Sequence, residues 1–351
     1  MPGQGVLRNV TVLDLSRLLP GPYCSMLLAD HGARVIAVEA ARPGDFFVSQ
    51  VYRNKEHICL DLKSKPGYDV FMQLAARADV ILEGFRPNVA SKLGVDYESV
   101  RHVNPRLIYC SLSGFGQWGP ESKKAGHDVN YLAASGVLEL LGEANRPPSI
   151  PGVQFADLAG GLNAALGILL ALLEKERTGL GQYIDVSIAD CSLAMLPLVQ
   201  HLQERTEQKL RRGDNMLSHR YACYNIYETA DQRYLALGAL EGKFWEGLCR
   251  HLGLQEYIPL QYDEGRRLEI IQTLRRLFKQ KERGMVLEAH AQKGSNTLGI
   301  PIKLEGTPGS LRRSPPGFGQ DSRALLQELG YTAKQIEDLI QQGACGHSST
   351  E

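Results

Sequence analysis

The sequence lacks an excess of charge of either sign. Its 351 residues carry 39 Lys and Arg against 39 Asp and Glu, so the formal net charge at pH 7 is zero. General nucleic-acid binders and proteins that bind anionic membranes usually carry a clear basic surplus. The balance argues against both kinds of partner, and it is compatible with a local basic site for a phosphorylated small molecule.

Cysteine is sparse, and we expect no targeting signal at either end of the chain. The seven Cys form no C-x-x-C pair and no Cys/His metal spacing, which is typical of reduced thiols in an intracellular protein. Residues 1–4 lack the basic and apolar regions of a signal peptide, and residues 348–351 are not a peroxisomal address. We therefore expect a cytoplasmic protein.

Uninterrupted hydrophobic runs of transmembrane length are also missing. No stretch reaches transmembrane length without a polar interruption, so we expect no membrane span. The chain is 43% hydrophobic and 22% charged, which is ordinary for a globular protein. Its length is more than one simple core needs and predicts two domains.

The first half of the chain alternates short apolar strands with helices. This alternation predicts an α/β fold in which a parallel sheet is covered by helices on both faces. The predicted strands are 10–15, 33–39, 79–82, 107–112 and 183–188, and the predicted helices are 23–30, 67–77, 88–94, 97–104 and 158–175.

The second half of the chain differs in composition and in its pattern of apolar residues. Residues 201–221 are polar and basic and are predicted to be a linker after a large domain of residues 1–200. A smaller α+β domain is predicted over 222–305, and residues 306–351 are expected to return to the large domain. The elements predicted in this half are strands 224–227 and 234–238, helices 244–252 and 264–281, and one or two helices within 323–342.

The run from Ser113 to Gly119 contains G-x-G-x-x-G after a predicted strand. We reject it as a dinucleotide fingerprint, because Pro120 follows where that motif needs a helix whose N-terminus holds pyrophosphate. A loop beside the active site is the better interpretation.

His127 and Asp157 are the residues whose positions best suit chemistry. Each stands where a loop turns into a run of helical spacing, Val129 to Leu140 in the first case and 158–173 in the second. Taken alone, Asp128 and Asp157 fit ordinary N-caps, and a lone His is more often structural. The sharper hypothesis is that a His and a carboxylate at two helix starts face one substrate carbon.

Several stretches resemble the family III CoA-transferase superfamily, and within it the α-methylacyl-CoA racemases. The most discriminating is Ala125–Leu132, because the transferases usually carry an aromatic residue where His127 stands. The other matching stretches are Pro20–Asp30, Asp61–Lys63, Asn104–Tyr109, Ser113–Gln117 and Gly238–Trp245.

The resemblance implies a large Rossmann-like domain, a smaller α+β domain and an intertwined homodimer. The family's active site lies between the large domain of one subunit and the small domain of the other. The substrate is an acyl-CoA thioester, and no metal or organic cofactor is implied beyond the coenzyme A of the substrate.

The resemblance also implies residue roles. His127 and Asp157 would be the two bases that move the α-proton of a 2-methylacyl-CoA through an enolate, and Glu241 would orient or charge the His. Asp128 and Tyr131 would meet the oxyanion or the substrate. The CoA phosphates would be bound by Lys63, Arg86, Lys92 and Arg42.

One departure from the family leaves alternatives open. A small-domain segment is missing between Lys281 and Glu282, which we interpret as an internal deletion. The chain could instead be a CoA-transferase, with Asp157 forming an acyl anhydride and then a covalent CoA thioester. A third hypothesis is a non-catalytic acyl-CoA-binding relative that lost activity through the deletion.

Overall fold

The computed structural model describes residues 5–40, 49–206, 209–280 and 299–346. The chain divides into two compact units. The large unit comprises Met1–Ser135, Val153–Met195 and Gln292–Glu351, and the small unit comprises Gly136–Gly152 and Leu196–Ala291. The predicted domain boundaries at residues 200, 221 and 305 stay predictions.

The large unit is built on a seven-stranded sheet in the order β6-β5-β4-β1-β2-β3-β9. The first six strands are parallel, and β9 pairs antiparallel with β3. A two-stranded antiparallel sheet, β7-β8, belongs to the small unit. The strands are β1 (Thr11–Asp14), β2 (Arg34–Glu39), β3 (Lys55–Leu60), β4 (Val80–Glu83), β5 (Ile108–Ser113), β6 (Tyr183–Ser187), β7 (Tyr224–Glu228), β8 (Tyr234–Gly238) and β9 (Cys345–Gly346).

This order confirms the predicted α/β class and the Rossmann-like large domain. The chain runs from β1 outward to β3 and then returns to place β4 on the other side of β1. A crevice forms at such a reversal, outside the carboxyl ends of the strands, and is the usual ligand site of the fold. The helices are α1 (Pro20–Asp30), α2 (Lys65–Ala75), α3 (Val89–Leu93), α4 (Tyr97–Arg101), α5 (Asp128–Ala134), α6 (Phe155–Thr178), α7 (Ile188–Leu193), α8 (Pro197–Thr206), α9 (Gly242–Leu252), α10 (Arg267–Phe278), α11 (Ser322–Glu328) and α12 (Ala333–Gln341).

The predicted elements of the large unit are confirmed apart from one helix end, and three of its elements were not predicted: β3, α7 and β9. Strand β3 was not predicted, because its Lys55 and His57 are polar, yet both are fully buried. The helix that begins at Asp128 ends at Ala134 instead of continuing to Leu140. Gly136, with φ of 80°, adopts a left-handed conformation that ends the regular α-helical geometry.

The C-terminal segment packs on the edge strand β3. The amide of His57 donates to Asp321 Oδ2 at 2.9 Å, and the amide of Asp321 donates to the carbonyl of His57 at 3.0 Å. Helix α11 supplies Leu325 and Leu326 to the main hydrophobic core, where they join Ile58 and Leu60 of β3. These contacts place residues 321–346 in the large unit.

Helix α6 has two unlike faces. One face is made of small residues, so the helix approaches its neighbours closely: a Cβ on Gly161 would lie 2.6 Å from the carbonyl oxygen of Pro20. The opposite face carries leucines that are 42% to 59% exposed: Leu162, Leu166, Leu169, Leu170 and Leu173. Their spacing places them on one side of the helix.

Helix α6 reaches transmembrane length, and it carries a polar interruption, as predicted. This helix has 24 residues and an 18-residue window of mean hydropathy 1.8, so it is long and apolar enough to span a membrane by length and composition. Its polar interruption, Asn163, is satisfied inside the helix by donating to the carbonyl of Ala159 at 2.9 Å. A single such helix is weak evidence for a span, since core helices meet the same criterion.

The small unit has a core of its own. The hairpin β7-β8 was predicted, as were α9 and α10, and all four elements are confirmed. Trp245 is 1% exposed, and its indole N–H donates to the carbonyl of Tyr257 at 3.0 Å. Helix α10 packs Ile270 and Leu274 into the same core, together with Tyr227 of β7.

Candidate active site

A cavity of about 730 Å³ opens at the carboxyl ends of β1, β4 and β5 in the large unit. The residues that follow these strands form its walls: 16–18 after β1, 84–87 after β4, and 113–114 at the end of β5. The lining also includes Lys63, residues 122, 124–127, 130 and 131, and Asp157. The cavity therefore lies where the strand order reverses, as expected for a ligand site of this fold.

His127 stands immediately before α5 and lines the cavity. Its backbone N–H donates to Asn130 Oδ1 at 3.0 Å, which fixes the entry of the chain into the helix. The imidazole is largely exposed to the cavity. It is therefore accessible to a bound ligand instead of being held in a core.

Asp157 lies in the first turn of α6 and lines the same cavity. Burial, and secondarily the charge of Asp128, raise the pKa of the Asp157 carboxyl to about 6, against the lowering effect of His127. The helix N-terminus would favour the charged form, so burial outweighs it here. A carboxyl group with this pKa can both accept and donate a proton near neutral pH.

Asp128 couples the two helix starts. Its Oδ1 accepts a hydrogen bond from the backbone N–H of Asp157 at 3.0 Å. Its carboxylate thus serves the helix that begins at the other site residue, although Asp128 itself does not line the cavity. The predicted contact of Asp128 with the oxyanion or substrate stays a prediction, while its role in joining α5 to α6 is direct.

Tyr131 supports the loop that carries His127. Its hydroxyl donates to the carbonyl of Gly126 at 2.7 Å, and its ring packs edge-on against Phe115 at 5.3 Å. A Cβ on Gly114 would lie 2.5 Å from this ring, so the ring needs a glycine there. Tyr131 lines the cavity and is only 7% exposed, so its predicted substrate contact would be made by the edge of a buried ring.

The predicted CoA-binding cations separate into three groups. Lys63 and Arg86 line the cavity with exposed side chains. Lys92 lies in the last turn of α3 and is not among the lining residues. Arg42 lies outside the described residues. The structure thus brings two of the four together with His127 and Asp157.

Glu241 belongs to the small unit. It is the exposed residue before α9, and its side chain makes no capping hydrogen bond. Its backbone carbonyl accepts from the amide of Phe244 at 2.9 Å. The carboxylate is therefore available to another group, and its predicted contact with His127 stays a prediction.

Two lining cations were missed at the level of sequence. Lys124 precedes His127 by three residues and pairs with Glu121, and Arg17 follows β1. The signal that could have found Arg17 is its place directly after a parallel strand, since such loops border the ligand crevice.

The glycine-rich run after β5 is a loop, as predicted. Gly116 and Gly119 both have positive φ, and no helix follows until Asp128. The amide of Gln117 donates to Asp185 Oδ2 at 2.9 Å, so the loop is tied to β6. Gly114 and Ser122 line the cavity, which places this loop beside the candidate site.

Comparison with known proteins decides the family. The model of CoA-transferase family III matches residues 7–294. Alpha-methylacyl-CoA racemase from Homo sapiens is 41% identical, with 95% of this chain and 96% of the human protein covered. The chain belongs to CoA-transferase family III.

Other members of the family agree with this assignment. Succinyl-CoA:glutarate CoA-transferase from Homo sapiens is 30% identical, with 98% of this chain and 91% of that protein covered. A solved CAIB/BAIF family protein from Brucella suis superposes with a TM-score of 0.79 at 27% identity, and covers 93% of this chain and 99% of that one. CoA-transferase family III thus includes both racemases and transferases among the relatives of this chain.

The alignment with the human racemase spans 376 positions, more than the 351 residues of this chain. The human protein therefore carries residues that have no counterpart here. This supports the predicted internal deletion, whose proposed position after Lys281 lies outside the described residues.

Proposed function

We propose that this protein is an acyl-CoA racemase that inverts the α-carbon of 2-methylacyl-CoA thioesters. The observation that carries the proposal is that His127 and Asp157 line one cavity from two helix starts, joined by the Asp128 hydrogen bond. The similarity to alpha-methylacyl-CoA racemase over nearly the whole chain supports it.

The reaction needs a proton removed from one face of the α-carbon and another delivered to the opposite face. A carboxyl group with a pKa near 6 and an imidazole can exchange roles, so each can act as base in one direction and as acid in the other. For one enantiomer the Asp157 carboxylate accepts the α-proton and the protonated His127 delivers one. For the other enantiomer the roles are reversed.

The enolate between the two proton transfers carries its charge on the thioester oxygen. Backbone N–H groups near Asp128 are the proposed donors to that oxygen, which they stabilise most as charge develops. Lys63 and Arg86 are proposed to bind the phosphates of coenzyme A, because both are exposed cations of the same cavity wall. Glu241 is proposed to orient or charge His127.

The racemase is tested with a single enantiomer of a 2-methylacyl-CoA, by following the loss of optical purity on a chiral column. We expect racemisation by the wild-type protein and none by His127→Ala or Asp157→Ala. Arg101→Ala, on α4 outside the cavity lining, is the control and should racemise like the wild type. Retention of optical purity by a well-folded wild-type protein that binds the thioester would refute the proposal.

A CoA-transferase is the second candidate, since transferases belong to the same family. There Asp157 would attack the thioester carbonyl, release CoA as the thiolate and form an acyl anhydride. Hydroxylamine applied during turnover would trap an activated Asp157 carboxyl as a hydroxamate, detectable by mass spectrometry. The racemase mechanism leaves Asp157 unmodified in the same experiment.

We also propose a homodimer, in which the exposed leucine face of α6 is covered by the second copy. The face carries five leucines that are 42% to 59% exposed. An apolar stripe of this kind usually marks an interface. Membership of the family supports a second copy of this chain as the occupant.

The dimer is tested by light scattering after size exclusion. Leu166→Glu with Leu170→Glu should shift the mass from dimer to monomer, because two charges would be buried in the interface. Leu268→Glu, a substitution at an equally exposed leucine of α10, is the matched control and should leave the mass unchanged. A wild-type protein that is monomeric at micromolar concentration would contradict the dimer.

A further inference from the structure

The loop after β1 is anchored from beneath by buried polar groups. Asp14 is 1% exposed, and its Oδ1 accepts from the backbone N–H of Ser16 at 3.0 Å as well as from the Ser16 hydroxyl. Its Oδ2 accepts from the Ser25 hydroxyl and from Lys55 Nζ, the latter at 3.2 Å. The conformation of the loop therefore depends on a carboxylate that is satisfied on both oxygens.

The backbone of this loop is strained and closely packed. Leu18 has φ of 65°, an uncommon conformation for a residue with a side chain. The Ser16 hydroxyl occupies the place where a Cβ on Gly21 would lie, at 2.0 Å. Backbone strain of this kind is kept where the surroundings fix it, and it is often found at ligand sites.

Arg17 is the charged residue that this loop presents. Its side chain is exposed and lines the cavity together with Lys63 and Arg86. Burial raises the pKa of Glu39 at the end of β2, and the charge of Arg17 acts in the opposite direction. The guanidinium therefore lies near the carboxyl ends of β1 and β2, on the wall of the cavity.

We infer that Arg17 binds the phosphoryl groups of the CoA nucleotide, as a third cation beside Lys63 and Arg86. This inference rests on the proposed function, since it takes the cavity to be the CoA site. A guanidinium offers two parallel N–H donors to a phosphate. Because Asp14 already holds the loop in place, less conformational entropy is lost when the phosphate binds. The ligand chemistry is an organic phosphate, either the pyrophosphate or the 3′-phosphate.

The competing role for Arg17 is purely structural, as a positive charge that compensates Glu39. If Arg17 is structural, its removal should lower the melting temperature of the protein. A phosphate-binding arginine would lower the affinity for CoA while the fold is retained. The two roles are therefore separable by measuring both quantities on the same variants.

The experiment is calorimetric titration of CoA and 3′-dephospho-CoA into wild type, Arg17→Ala and Arg17→Lys, with the melting temperature recorded for each. Arg101→Ala, an exposed arginine outside the cavity lining, is the control. We expect Arg17→Ala to weaken CoA binding by roughly 5- to 20-fold at low salt, with a smaller loss for Arg17→Lys and none for Arg101→Ala.

The two ligands identify the phosphate. A loss confined to CoA assigns the 3′-phosphate, and an equal loss for both ligands assigns the pyrophosphate. Unchanged CoA affinity in Arg17→Ala would overturn the inference, as would an affinity loss that accompanies a lowered melting temperature and is not relieved by Lys. A wild-type protein that binds no CoA would refute both the inference and the proposed site.

Discussion

Two aspartates near the same cavity have opposite surroundings. Asp14 is 1% exposed, and it accepts hydrogen bonds from Ser16, Ser25 and Lys55. Asp157 is partly exposed, and in the described part of the chain no side chain or amide donates to its carboxylate. The first carboxylate has donors on both oxygens, while the second has its pKa raised to about 6 by burial.

The difference in surroundings distinguishes a structural carboxylate, Asp14, from one that is suited to proton transfer, Asp157. Asp14 does not line the cavity, and its two oxygens accept hydrogen bonds that hold the loop on which the cavity depends. A carboxylate that is left without donors is free to exchange a proton, at some cost in stability. Burial alone therefore does not tell a structural carboxylate from a catalytic one in this fold. The number of hydrogen-bond donors to the carboxylate is also needed.

Asp157→Asn should produce the largest effect of the changes that test this comparison. We expect the rate of racemisation to fall by about 10³- to 10⁴-fold, because an amide cannot act as general acid or base. The melting temperature at pH 7 should stay unchanged or rise, since the partly buried charge is removed. Chiral analysis measures the racemisation rate, and thermal unfolding measures the melting temperature. A strongly destabilised variant would show that Asp157 is structural.

Lys55→Met should reverse that pattern. Its ammonium is fully buried between Asp14, Ser25 and the carbonyl of Pro22, so its loss leaves the Asp14 charge without a cation. We expect the free energy of unfolding to fall by about 3–5 kcal/mol. Denaturant unfolding measures it. Adding Asp14→Asn to the variant should restore part of the loss, and a double variant no more stable than Lys55→Met would contradict this account.

The pH dependence of stability should show the smallest of the three effects. The folded-state pKa of Asp157 is raised to about 6 above its ordinary value near 4, so the folded state favours the protonated carboxyl. Its contribution to stability is therefore lost as the pH rises from about 4 to about 6. We expect about 1–2 kcal/mol, less than a full conversion of the shift, because the group is partly exposed.

The control for this pH effect is Asp157→Asn. The difference in unfolding free energy between wild type and variant should change in favour of the variant across that window, and should be flat above about pH 7. A difference that does not change between pH 4 and 7 would mean that Asp157 titrates as an ordinary surface carboxyl.

Most of the sheet could be predicted because its strands are short apolar runs bounded by turns. Strand β3 could not, since burial of Lys55 and His57 depends on partners that lie far away in sequence: Asp14 for the first and the Gly319 amide, which donates to Nδ1 at 2.9 Å, for the second. Local pattern carries no information about such distant partners. The end of α5 at Ala134 was missed although Gly136 stood in the sequence as its signal.

The candidate site was predictable in part for the same reason. His127 and Asp157 stand at helix starts that the sequence shows, and their place in one cavity follows from the fold. The attachment of Asp128 to the amide of Asp157 could not be predicted, because it joins helices separated by a long loop. Arg17 was missed because a single charged residue after a strand has no distinctive local pattern.

Proton exchange at the α-carbon tests the central claim most directly. Each enantiomer of a 2-methylacyl-CoA is incubated with the wild-type protein in deuterated water, and the α-proton is followed by NMR. The two-base account predicts that both enantiomers gain deuterium at the α-carbon as they invert, and that His127→Ala and Asp157→Ala both stop the inversion. Bound thioester whose α-proton persists from either enantiomer would contradict it.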